Sequence, residues 1–303
     1  MIKLSNGRLI EYVIASGALA FDGKGWPWER PLVWTGHIKP QLFTTVTKTL
    51  TLNPRKGNLR MWKPWTCIRT IPGGTVNKVG LTNPGFQWWC EKVAPTIDFE
   101  KYPIAVSLWG TPEECVEMAK KLNSFKKLVA LVFNDSCPNT GHGLTGKDAS
   151  ISTARRIKEV SIHPLLHKLS EKQDLLGIAT GVHGIVEAIK LNSVEIERAF
   201  PKGDVRPLWR LEQKVGGGGG GVSGEPAQRL NWIAVEAIAQ QGLIPVIAPS
   251  IKRYEDMKKV RMLGAKAVSF GAIHLPDHPI WRHPLSIWTN PCKPTKFVEE
   301  ENS

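Results

Sequence analysis

Ile104-Ala105-Val106-Ser107-Leu108-Trp109-Gly110-Thr111-Pro112-Glu113-Glu114 is the stretch from which the fold can be read. Its first six residues make an apolar run of strand length. The last four are a helix start: threonine at the cap, proline in the first turn, and glutamate three residues on to close a capping box. The helix is expected to reach about Leu122. A strand followed at once by a capped helix is half of a βαβ unit, and such units build parallel sheets.

The alternation continues downstream. Strands are predicted over 129–134, 165–169, 186–192, 244–248 and 267–270, and helices over 149–160, 172–182, 226–240 and 254–263. Upstream, β-branched runs at 11–16 and 44–49 add two more strands, and 86–94 reads as a helix. Asn6-Gly7, between 2–5 and 8–15, predicts a tight hairpin at the N-terminus. The segment 75–85, dense in Gly, Asn and Pro, reads as a loop. Eight strands in about 300 residues suit a closed (β/α)8 barrel better than an open sheet. The expectation is an α/β chain forming one domain over 1–303, with inserted loops at the C-terminal mouth and a loosely ordered tail over 288–303.

In such barrels chemistry gathers at the C-terminal ends of the strands. Here those ends carry Ser16-Gly17, Lys48, Asn134, Lys168, Asn192-Ser193, Ser250 and Gly271. After Asn134 the chain turns through Asp135-Ser136-Cys137-Pro138-Asn139-Thr140-Gly141. A cysteine between two asparagines can serve as a base beside a planar polar ligand. It can equally be a structural thiol in a tight turn.

Composition limits the choices. The formal charge of +13 suits anionic partners, whether phosphate, carboxylate or nucleic acid, or else a solvated basic surface. No apolar run approaches a membrane span, and the N-terminus lacks a signal-peptide pattern, so a cytoplasmic protein without membrane partners is expected. Five cysteines with no CxxC pair argue against a disulfide framework or a cysteine-built metal site. The eight histidines form no HExxH, and no metal is expected.

Four segments together resemble the dihydroorotate dehydrogenase family: Val-Thr-Lys-Thr-Leu-Thr-Leu-Asn-Pro-Arg-Lys-Gly-Asn at 46–58, Val-Asn-Lys-Val-Gly-Leu-Thr-Asn-Pro-Gly at 76–85, Phe-Asn-Asp-Ser-Cys-Pro-Asn-Thr-Gly at 133–141 and Gly-Gly-Val-Ser-Gly at 220–224. The likeness runs from Val13 to Ala272, in the soluble, cysteine-based (class 1) branch. It implies oxidation of dihydroorotate to orotate with FMN in pyrimidine (UMP) synthesis. Cys137 would take the carbon-5 proton while hydride passes to the flavin. The resemblance assigns substrate binding to Lys48, Asn77, Gly80, Leu81, Asn134, Asn139, Asn192 and Ser193. It assigns the cofactor to Ala15, Ser16, Gly17, Lys48, Thr49, Asn134, Lys168, Gly220, Gly221, Ser250, Gly271 and Ala272.

One departure from the family stands at Ala248-Pro249-Ser250-Ile251, where glycines usually supply backbone donors to the flavin phosphate; proline removes one of them. The resemblance also implies a homodimer, with electrons leaving either to fumarate or to NAD through a separate iron–sulfur/FAD electron-transfer subunit; the Leu-Thr-Asn-Pro-Gly spelling at 81–85 leans towards the second. Two other readings of the chain are a dihydropyrimidine dehydrogenase-like flavoenzyme, which prefers histidine where Asn139 stands, and a basic nucleic-acid-binding barrel. For the second, twelve tryptophans could stack on bases, but Trp28, Trp34, Trp62, Trp65, Trp88 and Trp89 flank apolar or Pro-rich segments, and no nucleic-acid partner is expected.

Overall fold

The computed structural model describes residues 1–60, 62–136, 146–201, 220–271, 287 and 289–291. Eight parallel strands close a barrel: β3 (Tyr12–Ile14), β4 (Thr44–Val46), β7 (Ile104–Leu108), β8 (Ala130–Asn134), β9 (Leu165–Leu169), β10 (Ala188–Leu191), β13 (Val246–Ala248) and β14 (Ala267–Phe270). They are the eight runs read from the sequence. β14 pairs with β3, which closes the ring.

The helices between strands lie where the periodicity placed them. Pro112–Leu122 starts with the full capping box, Thr111 Oγ1 accepting from Glu114 N–H and the Glu114 carboxylate accepting from Thr111 N–H. Lys147–Val160, Glu225–Gln241 and Tyr254–Met262 follow. The helix expected from 172 begins at Leu175, because Asp174 caps it by accepting from Gly177 N–H. β1 (Ile2–Lys3) and β2 (Leu9–Ile10) form the N-terminal hairpin across Asn6-Gly7.

The segment 75–85, read as a loop, is turn and loop over 78–85 but strand over 75–77. Gly74–Asn77 is a strand, β6, in a second, antiparallel sheet of order β11 (Val194–Glu195), β12 (Gly221–Gly224), β6, β5 (Ile68–Ile71). Val76, Val194, Val222, Ile71 and Ile196 bury one face of it. Glycine and asparagine mark turns in local statistics, but here they pair with a segment far along the chain. Gly74 and Gly224 are register partners, and a side chain on Gly74 would strike the Ser223 carbonyl oxygen at 2.1 Å. Close backbone approach, rather than a turn, explains that glycine.

Strand alternation sorts the barrel into two cores. Ile14, Val106, Leu131, Leu169, Ile189 and Val268 face the helices. Val13, Val46, Ala105, Val132, Leu166, Ala188, Ile247 and Ala267, one from each barrel strand, fill the interior, with Ile2, Leu4 and Ile10 of the hairpin segment in the same cluster. Among the described residues no helix is long and apolar enough to cross a membrane.

Candidate active site

Side chains two apart on a strand share a face. Two residues beyond the interior apolar layer, the eight strands carry Ala15, Lys48, Ser107, Asn134, Lys168, Lys190, Pro249 and Ser269. The barrel core therefore ends in a layer that is mostly polar, and all of these residues but Ser107 line one cavity. Its walls come from Ser16 and Gly17 after β3, Trp26, Trp28 and Glu29, the Val79-Gly80-Leu81 turn, Asn192-Ser193 after β10, Ser250 and Gly271. The small sheet contributes Ile68, Thr75, Asn77 and Ser223 from one side.

A hydrogen-bond chain knits this layer together. Ser16 Oγ lies 3.0 Å from Thr49 Oγ1, which lies 2.9 Å from Ser107 Oγ and accepts from Asn134 Nδ2 at 3.0 Å. Asn134 Oδ1 accepts from Ser136 Oγ at 2.8 Å, and Asn192 Nδ2 donates to the Ser136 carbonyl at 3.2 Å. Asp135 N–H donates to the Lys168 carbonyl, and Gln173 Nε2 to the Asp135 carboxylate. The chain is thus pinned by three strands and a helix start up to the residue before Cys137. Buried polar groups satisfied in this way set a single arrangement.

Glycine is required at one point of the wall. Gly17 has φ +81°, and a Cβ there would lie 2.8 Å from Lys48 Cδ, so the lysine stem runs through the space it leaves. Ser250 adopts φ +67°, a conformation usual for glycine, and its hydroxyl accepts from Asn231 Nδ2 at 3.2 Å. The chain keeps a glycine-like backbone at the position where the family spelling changes.

The electrostatics are strongly one-sided. Lys48, Lys168 and Lys190 are all buried in the floor. Burial, with the neighbouring Lys168, pulls the Lys190 ammonium down to about 7. The one carboxyl among the described lining residues is Glu29, which accepts from Trp26 N–H at 2.8 Å. Burial pushes it up to about 8, so it is protonated and neutral at pH 7. Of the described cysteines, burial raises Cys67 and Cys90 to about 11 and Cys115 further still; none is a thiolate near neutral pH. Among the described residues no group of three or more His, Cys, Asp or Glu could hold a metal ion.

Of the residues expected at the site, Ala15, Ser16, Gly17, Lys48, Thr49, Asn77, Gly80, Leu81, Asn134, Lys168, Asn192, Ser193, Ser250 and Gly271 line this one cavity. Gly220 and Gly221 do not. Gly221 is the register partner of Asn77, whose amide donates to its carbonyl at 3.2 Å, and a Cβ on it would meet Ser193 Oγ at 2.3 Å. Cys137, Asn139 and Ala272 lie outside the described residues. Sequence reading missed Lys190, Ser269, Ser223 and Glu29. For Lys190 a signal existed: it is a polar residue inside the apolar run 186–192, two residues after Ala188.

A (β/α)8 barrel whose C-terminal mouth carries a cationic cavity with several amide side chains has the framework of a barrel enzyme. Residues 37–283 match the family described as Dihydroorotate dehydrogenase. The chain belongs to that family, and with it to the oxidoreductases that act on a CH–CH bond. It is 30% identical over 240 residues to the "Dihydroorotate dehydrogenase B (NAD(+)), catalytic subunit" of Geobacter metallireducens, covering 77% of this chain and 75% of that protein. The protein of the same description from Geobacillus kaustophilus is 30% identical over 239 residues, with 76% and 72% covered. The "Putative dihydroorotate dehydrogenase A (fumarate)" of Aeropyrum pernix is 29% identical over 245 residues, with 77% and 75% covered.

Proposed function

We propose that this chain oxidises dihydroorotate to orotate with FMN bound at the barrel mouth, in pyrimidine synthesis in the cytoplasm. The observation that carries the reading is the polar layer itself: Lys48, Asn134 and Lys168 end three strands of a family barrel and face one cavity with Asn77 and Asn192.

The lining fits an anion-forming, phosphate-bearing ring. Lys168 would sit against the isoalloxazine, Ser16, Gly17 and Thr49 beside it, and Ser250 with Gly271 would meet the phosphate where Pro249 offers no N–H. FMN, when bound, supplies the acceptor for the hydride from carbon 6 of the substrate. Asn77, Asn134, Asn192 and Ser193 offer the donors and acceptors that a cyclic diamide needs. Lys48 balances the substrate carboxylate, with Gly80 and Leu81 next to it. Cys137 takes the carbon-5 proton, and Asn139 adds to the substrate's hydrogen bonds. A thiol suits this role because modest tuning brings its acidity near the working pH.

Electrons would leave through a separate iron–sulfur/FAD subunit. The similarity to relatives described as NAD(+) catalytic subunits supports this. A homodimer is the expected assembly. The test is direct: purified protein is yellow, and dihydroorotate added without oxygen bleaches the flavin. Protein that cannot be reconstituted with FMN, or whose flavin keeps its colour, overturns the reading.

A further inference from the structure

Lys190 is the feature of the cavity that the proposed reaction does not use. Its side chain is fully enclosed, it lines the cavity floor, and it is the register partner of Lys168 on the adjoining strand. Both lysines stand in the same layer, two residues beyond the apolar interior. Its hydrogen-bond partner among the described residues is the hydroxyl of Ser269 on β14. A hydroxyl can accept from an ammonium or donate to a neutral amine, so this partner tolerates both protonation states.

The groups facing Lys190 explain what it can do. From β9 comes the Lys168 ammonium, a like charge. From β13, where Ile247 is its register partner, comes no titratable group. From β14 comes Ser269. Across the mouth stand Lys48 and the carboxyl of Glu29, neutral near pH 7. No described residue of the lining thus offers an ionised carboxylate at that pH. In the absence of a ligand the ammonium form is opposed by burial and by Lys168, and the amine sits near its balance point. An anion entering the cavity reverses the field.

We propose that Lys190 takes up a proton when an anionic ring enters this cavity and then stands beside Lys168 as a second ammonium against it. Binding is thereby coupled to proton uptake from solvent, and the floor matches its charge to that of its occupant. A permanently charged pair would hold its repulsion in the empty state; a titrating partner avoids it. The proposal rests on the reading of this cavity as a site for FMN and orotate.

Titration calorimetry in buffers of differing ionisation heat, above neutral pH, measures the proton uptake directly. FMN is titrated into flavin-stripped protein, and orotate into FMN-loaded protein. Wild type is expected to take up part of a proton with at least one of the two. Lys190→Met, whose unbranched stem fits the same slot, loses that uptake and binds the ligand about tenfold more weakly, the equivalent of one unit in the amine's acidity. Lys190→Gln, which keeps a polar end for Ser269, should lose it as well if the apolar replacement disturbs the barrel.

Equal uptake in wild type and both variants for both ligands overturns the proposal. Orotate binding without FMN binding removes the cofactor reading and leaves Lys190 to be judged on orotate. Binding of neither ligand removes both.

Discussion

Asn134 donates its side-chain amide to Thr49 Oγ1 across 3.0 Å, joining the end of β8 to the turn after β4. Thr49 Oγ1 also lies within hydrogen-bond distance of Ser16 and Ser107, so one hydroxyl organises three strand ends. Thr49→Val keeps the shape and removes that oxygen. It leaves a buried amide donor unpaired and should cost about 1–3 kcal/mol in urea unfolding. A change below about 0.5 kcal/mol would mean that the layer does not depend on this contact.

Gly17 and Lys48 form a second dependent pair. Gly17→Ala places a Cβ 2.8 Å from Lys48 Cδ at φ +81° and should destabilise the fold by about 1–2 kcal/mol. It should also weaken orotate binding, because Lys48 must shift. Lys48→Ala should weaken it by about tenfold or more, the scale of a hydrogen bond to a charged group. Orotate titrations followed on the flavin spectrum check both. Wild-type affinity in the two variants takes Lys48 out of the site.

Cys137→Ala should still bind orotate while flavin reduction by dihydroorotate slows at least about 100-fold, the usual scale for a lost general base. Single-turnover absorbance at saturating dihydroorotate reads this step alone. Near-normal reduction removes the thiol from the proton transfer.

Two buried groups of the cavity, Glu29 and Lys190, act on stability in opposite senses. Glu29 is neutral in the fold up to about 8 but ionises near 4.5 once unfolded. Between those values the native state holds the extra proton, so stability falls as pH rises through the window. Glu29→Gln should flatten that slope in denaturant titrations taken across it. An unchanged slope would place the carboxyl in contact with water.

For Lys190 the unfolded chain holds the extra proton between about 7 and 10.5, and stability rises with pH there. Lys190→Met should therefore be more stable than wild type below about 7, with the gap closing toward 10.5. A gap independent of pH would show that the amine does not titrate within the fold.

The eight barrel strands and most helices could be read locally. Apolar runs, the Thr111–Glu114 capping box and the Asn6-Gly7 turn act within a few residues, so their signals survive without tertiary context. Lys48, Asn134 and Lys168 were legible for a related reason: each is a polar residue at the end of a β-branched or apolar run. The four-stranded sheet was not. Asn77 and Gly221 are 144 positions apart, and neither segment announces the other. Short, glycine-rich strands carry almost no propensity of their own.

Sequence alone therefore determined the barrel, its polar end and the family pattern around Cys137, because periodicity and short motifs encode faces and strand ends. Only the tertiary structure decided that Lys190 stands beside Lys168, that Glu29 lines the same cavity, and that Gly221 pairs with Asn77 in a sheet. Those facts depend on register between distant strands and on burial. Both arise when the barrel closes.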